Sequence, residues 1–342
     1  TNFTTTRKNL PAALELVFDA MHNSIMPQDE FDQFKKQMQV MIESMRDKPD
    51  ALAQNAITQH FNTYPKGDPR YEYSLDESLE QLNKLTVDQV RAFYKEFGGT
   101  SRGEISIVGD FDPKTVEKII RDDYAKYVSK AHYAPVVTEY RPVKATRVVI
   151  DTPDKENAII VARSVFPIND TAPDAPALTV ANWILGGGTG LSNRLIERLR
   201  QKEGLSYGAG SHVRIPAKGD NGSFVFRAIV APQNMLQAEA SARDVIAKAI
   251  KDGFTDQEVE EAKKGLLQAM QVARSQDDVV ARSWNDKMEN QRTWVFSKKQ
   301  AEAISKLTTA DVNAALRKYI KPDEITFVLA GDQKKAAQKK QD

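Results

Sequence analysis

An internal repeat limits the folds open to this chain more than any other feature of its sequence. Two segments separated by a constant 222 residues both predict a helix with a threonine at its N-cap and apolar residues at helical spacing behind it. Each predicted helix runs on to an aromatic residue, and a short apolar strand ending in Gly-Asp follows it. The matching positions are Leu85–Ala92 and Leu307–Ala314 for the helix starts, Phe97 and Tyr319 for the aromatic residues, and Ile105–Asp110 and Ile325–Asp332 for the strands. An ungapped match over helix, loop and strand predicts two copies of one structural unit.

The two copies differ in how much chain precedes them. A second pair of similar predicted helices, around Glu30 and around Glu258, is separated by 228 residues, so one linker differs by a few residues. Within the second copy about 110 residues precede Glu258, whereas 29 residues precede Glu30. If the copies are true duplicates, we expect the first to lack about 80 residues at its front, including strands of its sheet.

Residues between the two matching segments show β-branched, apolar and helical patterns that predict four strands and two helices. The predicted strands are Thr146–Ile150, Asn157–Val165, Tyr207–Ile215 and Gly222–Val230, and the predicted helices are Ala175–Leu185 and Ser192–Lys202. We therefore predict an α+β fold of two homologous units, each a mainly antiparallel sheet with helices packed on one face, the first truncated at its N-terminus. The predicted organisation is a truncated α+β domain at 1–130, a connector at 131–145, a complete α+β domain at 146–335 and a polar tail at 336–342.

Composition and charge exclude several classes of function. The chain contains no cysteine, which rules out disulfides, thiolate catalysis and cysteine-ligated zinc. A formal net charge of +1 does not favour nucleic acid or an anionic membrane as a partner. No run of about 18 apolar residues is present, so we expect no membrane-spanning segment. The start, Thr1–Thr6, does not resemble a signal peptide.

No residue pattern predicts a catalytic site built by this chain alone. The four histidines are too far apart in sequence for one helix face to present two imidazoles to a metal. They are His22, His60, His132 and His212. The glycine-rich segment Gly186–Arg194 lacks the lysine of a phosphate-binding loop, and we interpret it as a helix end and flexible turn, with Ser192 capping the next helix. We therefore predict no metal site within this chain.

Arg200 and Tyr207 are the residues with the clearest functional potential. The helix of Arg200 is predicted to end at Gly204, and a strand that begins at Leu205 has Tyr207 near its start. We expect the two side chains to converge, so that a guanidinium and a phenol can donate hydrogen bonds to a peptide carbonyl or a developing oxyanion. The same residues also suit a structural role, because arginine is favourable at a helix C-terminus and tyrosine is common in strands.

Several segments together resemble the pitrilysin/insulysin (M16) family of zinc peptidases, especially the second half of its long bacterial members. The segments are Gly187–Tyr207, Tyr64–Arg70, Leu85–Tyr94 and Ile105–Asp112, and the similarity extends from about Thr4 to Asp332. The family implies repeated α+β units in two halves that close like a clamp around a peptide. One half binds zinc through an inverted His-x-x-Glu-His motif and a distal Glu, with the motif Glu as general base. The other half supplies an Arg and a Tyr that hold the substrate and stabilise the transition state; these match Arg200 and Tyr207.

The resemblance also implies that this chain corresponds to the half without zinc. The inverted motif is absent from the sequence. In the predicted helix Glu30–Met45, Val40 and Met41 stand where zinc-bearing domains have the distal Glu, although Glu43 lies two residues away. The thioether of Met41 cannot replace a hard anionic ligand.

These observations predict the substrate-holding half of an M16 zinc metalloendopeptidase, inactive alone. We expect this chain to bind no cofactor and zinc to be bound by a partner half, in the same polypeptide or in a separate subunit. The other expected partner is a peptide substrate, which could add along an edge strand, and a homodimer is also possible. The alternative is a non-catalytic scaffold that only binds proteins. By resemblance the expected location is the periplasm, with the cytoplasm left open.

Overall fold

A computed structural model describes residues 1–188 and 193–338 of the chain. The helices are α1 (Leu10–His22), α2 (Gln28–Met45), α3 (Pro49–His60), α4 (Leu75–Lys84), α5 (Val87–Phe97), α6 (Pro113–Asp122), α7 (Ala175–Asn182), α8 (Arg194–Ile196), α9 (Met235–Asp252), α10 (Asp256–Ala273), α11 (Asp277–Glu289), α12 (Trp294–Lys306), α13 (Thr309–Tyr319) and α14 (Gln333–Gln338). The strands are β1 (Arg147–Asp151), β2 (Ala158–Pro167), β3 (Ser206–Arg214), β4 (Asn221–Val230) and β5 (Thr326–Gly331). None of the described helices combines the length and the apolar character needed to cross a membrane.

The helix starts predicted from the repeat are confirmed at α5 and α13. Both helices begin with a capping box, in which the N-cap threonine and the third helical residue bond each other's backbone N–H. The pairs are Thr86 with Gln89 and Thr308 with Asp311. The two sequence segments therefore form the same local structure, with the same kind of side chain satisfying the free N–H groups.

The described residues form one five-stranded sheet, in the order β1-β5-β2-β4-β3. β2 pairs antiparallel with β4 and β5, and β3 pairs antiparallel with β4, whereas β1 pairs parallel with β5. The predicted strands of the second copy are confirmed to within two residues at each end. The sheet is thus mixed and, as predicted, mainly antiparallel, since three of its four pairings are antiparallel.

One face of this sheet packs against helices of the same copy. Because side chains alternate along a strand, every second residue of β2 and β4 points to this face. Phe224 and Phe226 of β4 are fully buried there, together with Leu178 of α7, Ile246 of α9 and Leu316 of α13. This large apolar cluster makes β3, β4 and the helices behind them a rigid base for the residues on their connections.

The opposite face of the sheet is partly covered by α3. Ala53 and Ile57 of α3 pack against Ile159 and Val161 of β2 and against Val328 of β5. The prediction of helices on one face only is therefore wrong for this sheet, because a helix from the first copy covers part of the second face.

The chain divides into two compact units, and each unit is built from three segments that are separated in sequence. Unit 1 consists of residues 1–42, 77–135 and 271–294, and unit 2 of residues 43–76, 136–270 and 295–342. Unit 2 thus includes α3 of the first copy, and unit 1 includes α11, which begins 228 residues after α3. The predicted domains 1–130 and 146–335 were drawn from the sequence repeat, and their boundaries differ from those of the compact units. The division into these domains stays a prediction.

The strand predicted at Ile105–Asp110 is wrong. This segment forms neither helix nor strand, and Ile105 is 41% exposed, whereas all six residues of β5 are buried. A strand needs a neighbour to accept and donate its backbone hydrogen bonds, and residues 1–146 contain no other strand. The prediction that the first copy of the repeat contains a sheet is wrong for the same reason.

The predicted connector at 131–145 has no helix or strand. Its residues 136–145 belong to unit 2, where an aromatic ring contacts them. The ring of Tyr64 lies between two guanidinium groups, at 4.0 Å from Arg70 and 4.2 Å from Arg141 of the connector. Arg70 in turn donates hydrogen bonds to both carboxylate oxygens of Asp68, and these bonds hold the pKa of Asp68 at about 2. The conspicuous segment Tyr64–Arg70 therefore has a structural role.

Candidate functional site

The glycine-rich segment lies between two π-helical turns. Trp183–Gly187 continues α7, and Glu197–Lys202 continues α8. Such turns are rare and occur frequently at functional sites. Residues 189–192, including the predicted cap Ser192, lie outside the described residues. Asn193 caps α8, its side-chain oxygen accepting a hydrogen bond from a backbone N–H of that helix at 2.9 Å.

Gly186 allows the first π-helical turn to approach β3 closely. A Cβ atom at Gly186 would lie 2.5 Å from Ser211 Oγ and 2.7 Å from Leu195 Cδ1. The Asn182 side chain donates to the Ser211 carbonyl at 3.4 Å and accepts from the Ser211 hydroxyl at 2.8 Å. The Asn182 side chain thus occupies hydrogen-bonding groups of Ser211, in the middle of the edge strand β3.

Arg200 lies exposed in the second π-helical turn, among basic residues that are all paired with acids. The neighbouring pairs are Arg194–Glu258, Arg198–Glu203 and Lys202–Glu197. Within the part of the chain that the structure describes, the side chain of Arg200 forms no hydrogen bond or ion pair. Its guanidinium carries five N–H donors.

Tyr207 is the extra residue of a β-bulge at the start of β3. Ser206 lies opposite Val230 of β4 and Gly208 lies opposite Ile229, so Tyr207 has no partner in the ladder. Its side chain is 64% exposed. A bulge redirects the side chain it contains and is often found beside an active site. A Cβ atom at Gly208 would have no atom within 4 Å, so the surface next to Tyr207 is open to the backbone of a ligand.

Arg200 and Tyr207 are joined by a short connection that closes the helix end. Gly204 has φ +60°, a left-handed conformation that suits glycine at the end of a helix, which confirms the predicted helix end. The backbone N–H of Leu205 donates to the carbonyl of Leu199 at 2.8 Å. Both side chains therefore extend from a well-ordered base, and their convergence on one carbonyl stays a prediction.

The described residues offer no set of side chains that could ligate zinc. Among the described residues there is no group of three or more His, Asp or Glu side chains that could hold a metal ion. The histidines lie on separate elements: His22 at the end of α1, His60 at the end of α3, His132 in the connector and His212 on β3. On α2, Val40 is 63% exposed and Met41 is 41% exposed. A metal-dependent step cannot be assigned to these residues.

Two basic residues of the sheet were not predicted from the sequence. Arg163 lies in β2 and Arg214 ends β3, on the same face of the sheet as Gly208. The available signal was an arginine within the apolar run Asn157–Val165, where a charged residue needs an explanation. Its neighbours could not be foreseen, because they depend on the pairing of three strands.

The chain is similar in sequence to proteins of one family. Residues 84–266, more than half of the chain, match the family described as Peptidase M16 inactive domain. A Mycobacterium tuberculosis protein named as an uncharacterized zinc protease is 24% identical over 261 residues, which make up 75% of this chain and 57% of that protein. The Helicobacter pylori non-peptidase homolog YmxG is 21% identical over 259 residues, or 75% of this chain and 58% of that protein.

The fold is also that of a solved structure. The peptidase M16 inactive domain from Pseudomonas fluorescens superimposes with a TM-score of 0.81 at 23% identity, covering 95% of this chain and 75% of that chain. This likeness establishes the α+β fold. The chain spans about 57% of the length of the mycobacterial relatives it matches.

Proposed function

The chain belongs to the M16 peptidase family through its inactive domain, and on that premise we propose that it is the substrate-holding, non-zinc half of a zinc metallopeptidase. One observation supports the proposal above all others. An exposed arginine without a partner among the described residues is followed, seven residues later, by an exposed tyrosine that a β-bulge turns out of the ladder. Arg200 and Tyr207 are the proposed binding residues.

The surroundings of Arg200 favour a ligand over a structural role. Every other basic residue of this helix has a carboxylate partner, so the helix already has the ion pairs that stabilise it. An exposed guanidinium at a helix C-terminus contributes typically 0.3–1 kcal/mol through the helix dipole. The same group binds a peptide carbonyl or carboxylate through two parallel hydrogen bonds. We assign Arg200 to the substrate backbone.

The placement of Tyr207 favours the same conclusion. A tyrosine retained for packing buries its ring and bonds its hydroxyl, whereas this ring is 64% exposed. The bulge leaves Tyr207 unpaired in the ladder. Its hydroxyl is a neutral donor of the kind that stabilises an oxyanion in a site from which water is excluded. We assign Tyr207 to the scissile carbonyl.

The bond-breaking chemistry belongs to a partner in this proposal. A zinc ion in a zinc-bearing half, in the same polypeptide or a separate subunit, would activate water and polarise the carbonyl. The residues of this chain bind the peptide, orient it and donate hydrogen bonds as the two halves close. The chain alone is accordingly inactive.

The test is cleavage of a mixture of unstructured peptides. We expect no cleavage by this chain with added zinc, and cleavage when a cognate zinc-bearing half is supplied. Tyr207→Phe should lower kcat by about 100-fold or more, the cost of removing one oxyanion donor, and Arg200→Ala should lower kcat/KM because the substrate backbone loses its charged donor. Tyr133→Phe is the control, because Tyr133 is also exposed but packs on Arg102 in unit 1. Full activity of Tyr207→Phe would contradict the assigned role.

A second candidate is a scaffold that binds a partner without taking part in hydrolysis. The name of the Helicobacter pylori relative, a non-peptidase homolog, favours it. A scaffold would bind its partner half with equal affinity after Arg200→Ala, and no combination would cleave peptides. Association of the chain with itself and a periplasmic location stay predictions, to be tested by sedimentation and by cell fractionation.

A further inference from the structure

A second group of polar side chains lies on the same face of the sheet as Gly208. Side chains alternate along a strand, so every second residue of β3 points to one face of the sheet. The face on which α3 packs against β2 and β5 includes Gly208, Gly210, His212 and Arg214 of β3. His212 and Arg214 are exposed. This open surface begins beside the bulge at Tyr207 and ends at Arg214.

Arg163 of β2 belongs to this surface. His212 lies opposite Val225 of β4, and Val225 lies opposite Arg163, so the three residues form one row across the sheet. Neighbouring strands are about 4.8 Å apart, which places the Cα atoms of His212 and Arg163 roughly 10 Å apart. The charge of Arg214 nevertheless acts on the guanidinium of Arg163, so the two positive groups influence each other across this row.

The surroundings of Arg163 are unusual for a positive charge. Its Nε atom is buried and has no hydrogen-bond partner in the described residues. The guanidinium lies 4.8 Å from the centre of the Phe61 ring. Burial and the charge of Arg214 both lower the pKa of Arg163, while Glu72 opposes them. A guanidinium nevertheless remains protonated in proteins, and a buried donor without an acceptor is unfavourable. An added anion that reaches the terminal N–H groups of Arg163 would offset the repulsion between Arg163 and Arg214.

We propose that Arg163 and Arg214 bind an acidic side chain of the peptide that Arg200 and Tyr207 hold. This inference rests on the proposed function, which supplies the peptide. Two guanidinium groups match the planar, doubly accepting geometry of a carboxylate. Charge complementarity therefore selects an aspartate or glutamate of the substrate as the occupant.

The spacing of the residues predicts where the acidic side chain lies in the substrate. Arg214 lies seven positions after Tyr207, and a strand rises about 3.3 Å per residue, which gives roughly 23 Å. An extended peptide has the same rise. The acidic residue is therefore about six or seven positions from the peptide bond held at Tyr207.

Arg227 of β4 offers a matched control on the same face. It lies opposite Gly210 and its side chain is 51% exposed, but it forms an ion pair with Asp50 of α3 at 2.6 Å. Its charge is thus already compensated within the protein. Replacing it removes one positive charge from the surface without removing the proposed carboxylate ligands.

The test measures binding of fluorescent unstructured peptides to the whole chain by anisotropy at low salt. One series has a single glutamate moved through every position, and a matched series has glutamine instead. At one position, glutamate should bind about tenfold more tightly than glutamine, as expected for a charge-assisted hydrogen bond, and added salt should reduce the difference. Arg214→Gln should abolish the preference and Arg227→Gln should retain it. Arg214→Glu should change the preference at that position to lysine.

The outcomes separate this inference from the proposed function. Equal binding of glutamate and glutamine peptides at every position would overturn the inference and leave the substrate-holding function standing. Loss of the preference in Arg227→Gln to the same extent as in Arg214→Gln would also overturn it, because the effect would then be general charge. Failure of every peptide to bind would contradict both. Arg163→Gln should behave as Arg214→Gln does, and if it fails to fold, the exposed Arg214 alone decides the result.

Discussion

The predicted repeat pairs helix α3 with helix α11, which begins 228 residues later, yet the two helices are buried to very different extents. α3 packs Ala53 and Ile57, at 0% and 1% exposure, against the sheet, whereas no residue of α11 is buried. At the position that corresponds to Ile57, α11 has the polar residue Asn285. The burial of each helix therefore depends on whether it packs on the sheet, and the residue type at the matching position differs accordingly.

The two apolar segments that the predicted repeat matches, Ile105–Asp110 and the segment of β5, also differ in their burial. β5 is central in its sheet and completely buried, whereas Ile105–Asp110 has a similar sequence and forms no strand. A Cβ atom at Gly109 would lie 3.9 Å from a carboxylate oxygen of Asp277, so the start of α11 lies beside this segment. The described part of residues 146–338 has a continuous core on which a site can be held, whereas residues 1–146 form helices without a strand.

The largest expected effect comes from truncating the buried helix face. Ile57→Ala should destabilise the protein by about 3 kcal/mol, because it removes a fully buried side chain and leaves a cavity against the sheet. Val280→Ala in α11, where the valine is only half-buried, should cost less than about 1 kcal/mol. Urea unfolding followed by circular dichroism compares the two. Equal losses would show that α11 is buried as deeply as α3.

A smaller difference is expected between ion pairs of the two units. In unit 2, the Glu239 carboxylate is 7% exposed and accepts hydrogen bonds from Arg147 and Arg243. Glu239→Ala should cost about 2 kcal/mol, somewhat below the cost for a completely buried pair, because the two guanidinium groups are partly exposed. Asp110→Ala, which removes the exposed Arg7–Asp110 pair of unit 1, should stay within about 0.5 kcal/mol. Thermal unfolding of both variants is the measurement, and a larger loss for Asp110→Ala would reverse the comparison.

The smallest expected effect is a pH dependence at the connector. Hydrogen bonds from Arg70 hold the pKa of Asp68 at about 2, below its ordinary value of 3.8. A depressed pKa means that this carboxylate stabilises the folded state above about pH 4, and that the contribution is lost as the pH falls towards 2. Asp68→Asn should therefore make stability less steep between pH 4 and 2. Arg70→Gln should do the same, and an unchanged pH profile in both variants would contradict the role of the pair.

Local patterns predicted the secondary structure of the second copy well. The capping threonines, the helix end at Gly204 and the strands from β1 to β5 all follow from short-range rules, and each lies where it was predicted. The failure at Ile105–Asp110 has the opposite cause, because the same apolar run becomes a strand only when another strand lies beside it.

The parts of the site that were not predicted depend on long-range pairing. Arg200 and Tyr207 were identified from their residue types and the resemblance, but the bulge at Tyr207 arises from the register between β3 and β4. The insertion of β5 between β1 and β2, and the position of α3 on the sheet, bring together residues far apart in sequence. The basic pair Arg163 and Arg214 becomes visible only once three strands are in register.

The central claim, that this chain holds a peptide at Tyr207, is tested most directly by crosslinking from that position. A photoreactive benzophenone side chain is introduced by Tyr207→p-benzoylphenylalanine, and at Tyr133 in unit 1 as the control. After mixing with a labelled unstructured peptide and a zinc-bearing partner half, irradiation should attach the peptide at position 207 and not at position 133. Equal labelling at both positions, or capture of the partner half with no peptide at position 207, would contradict the account.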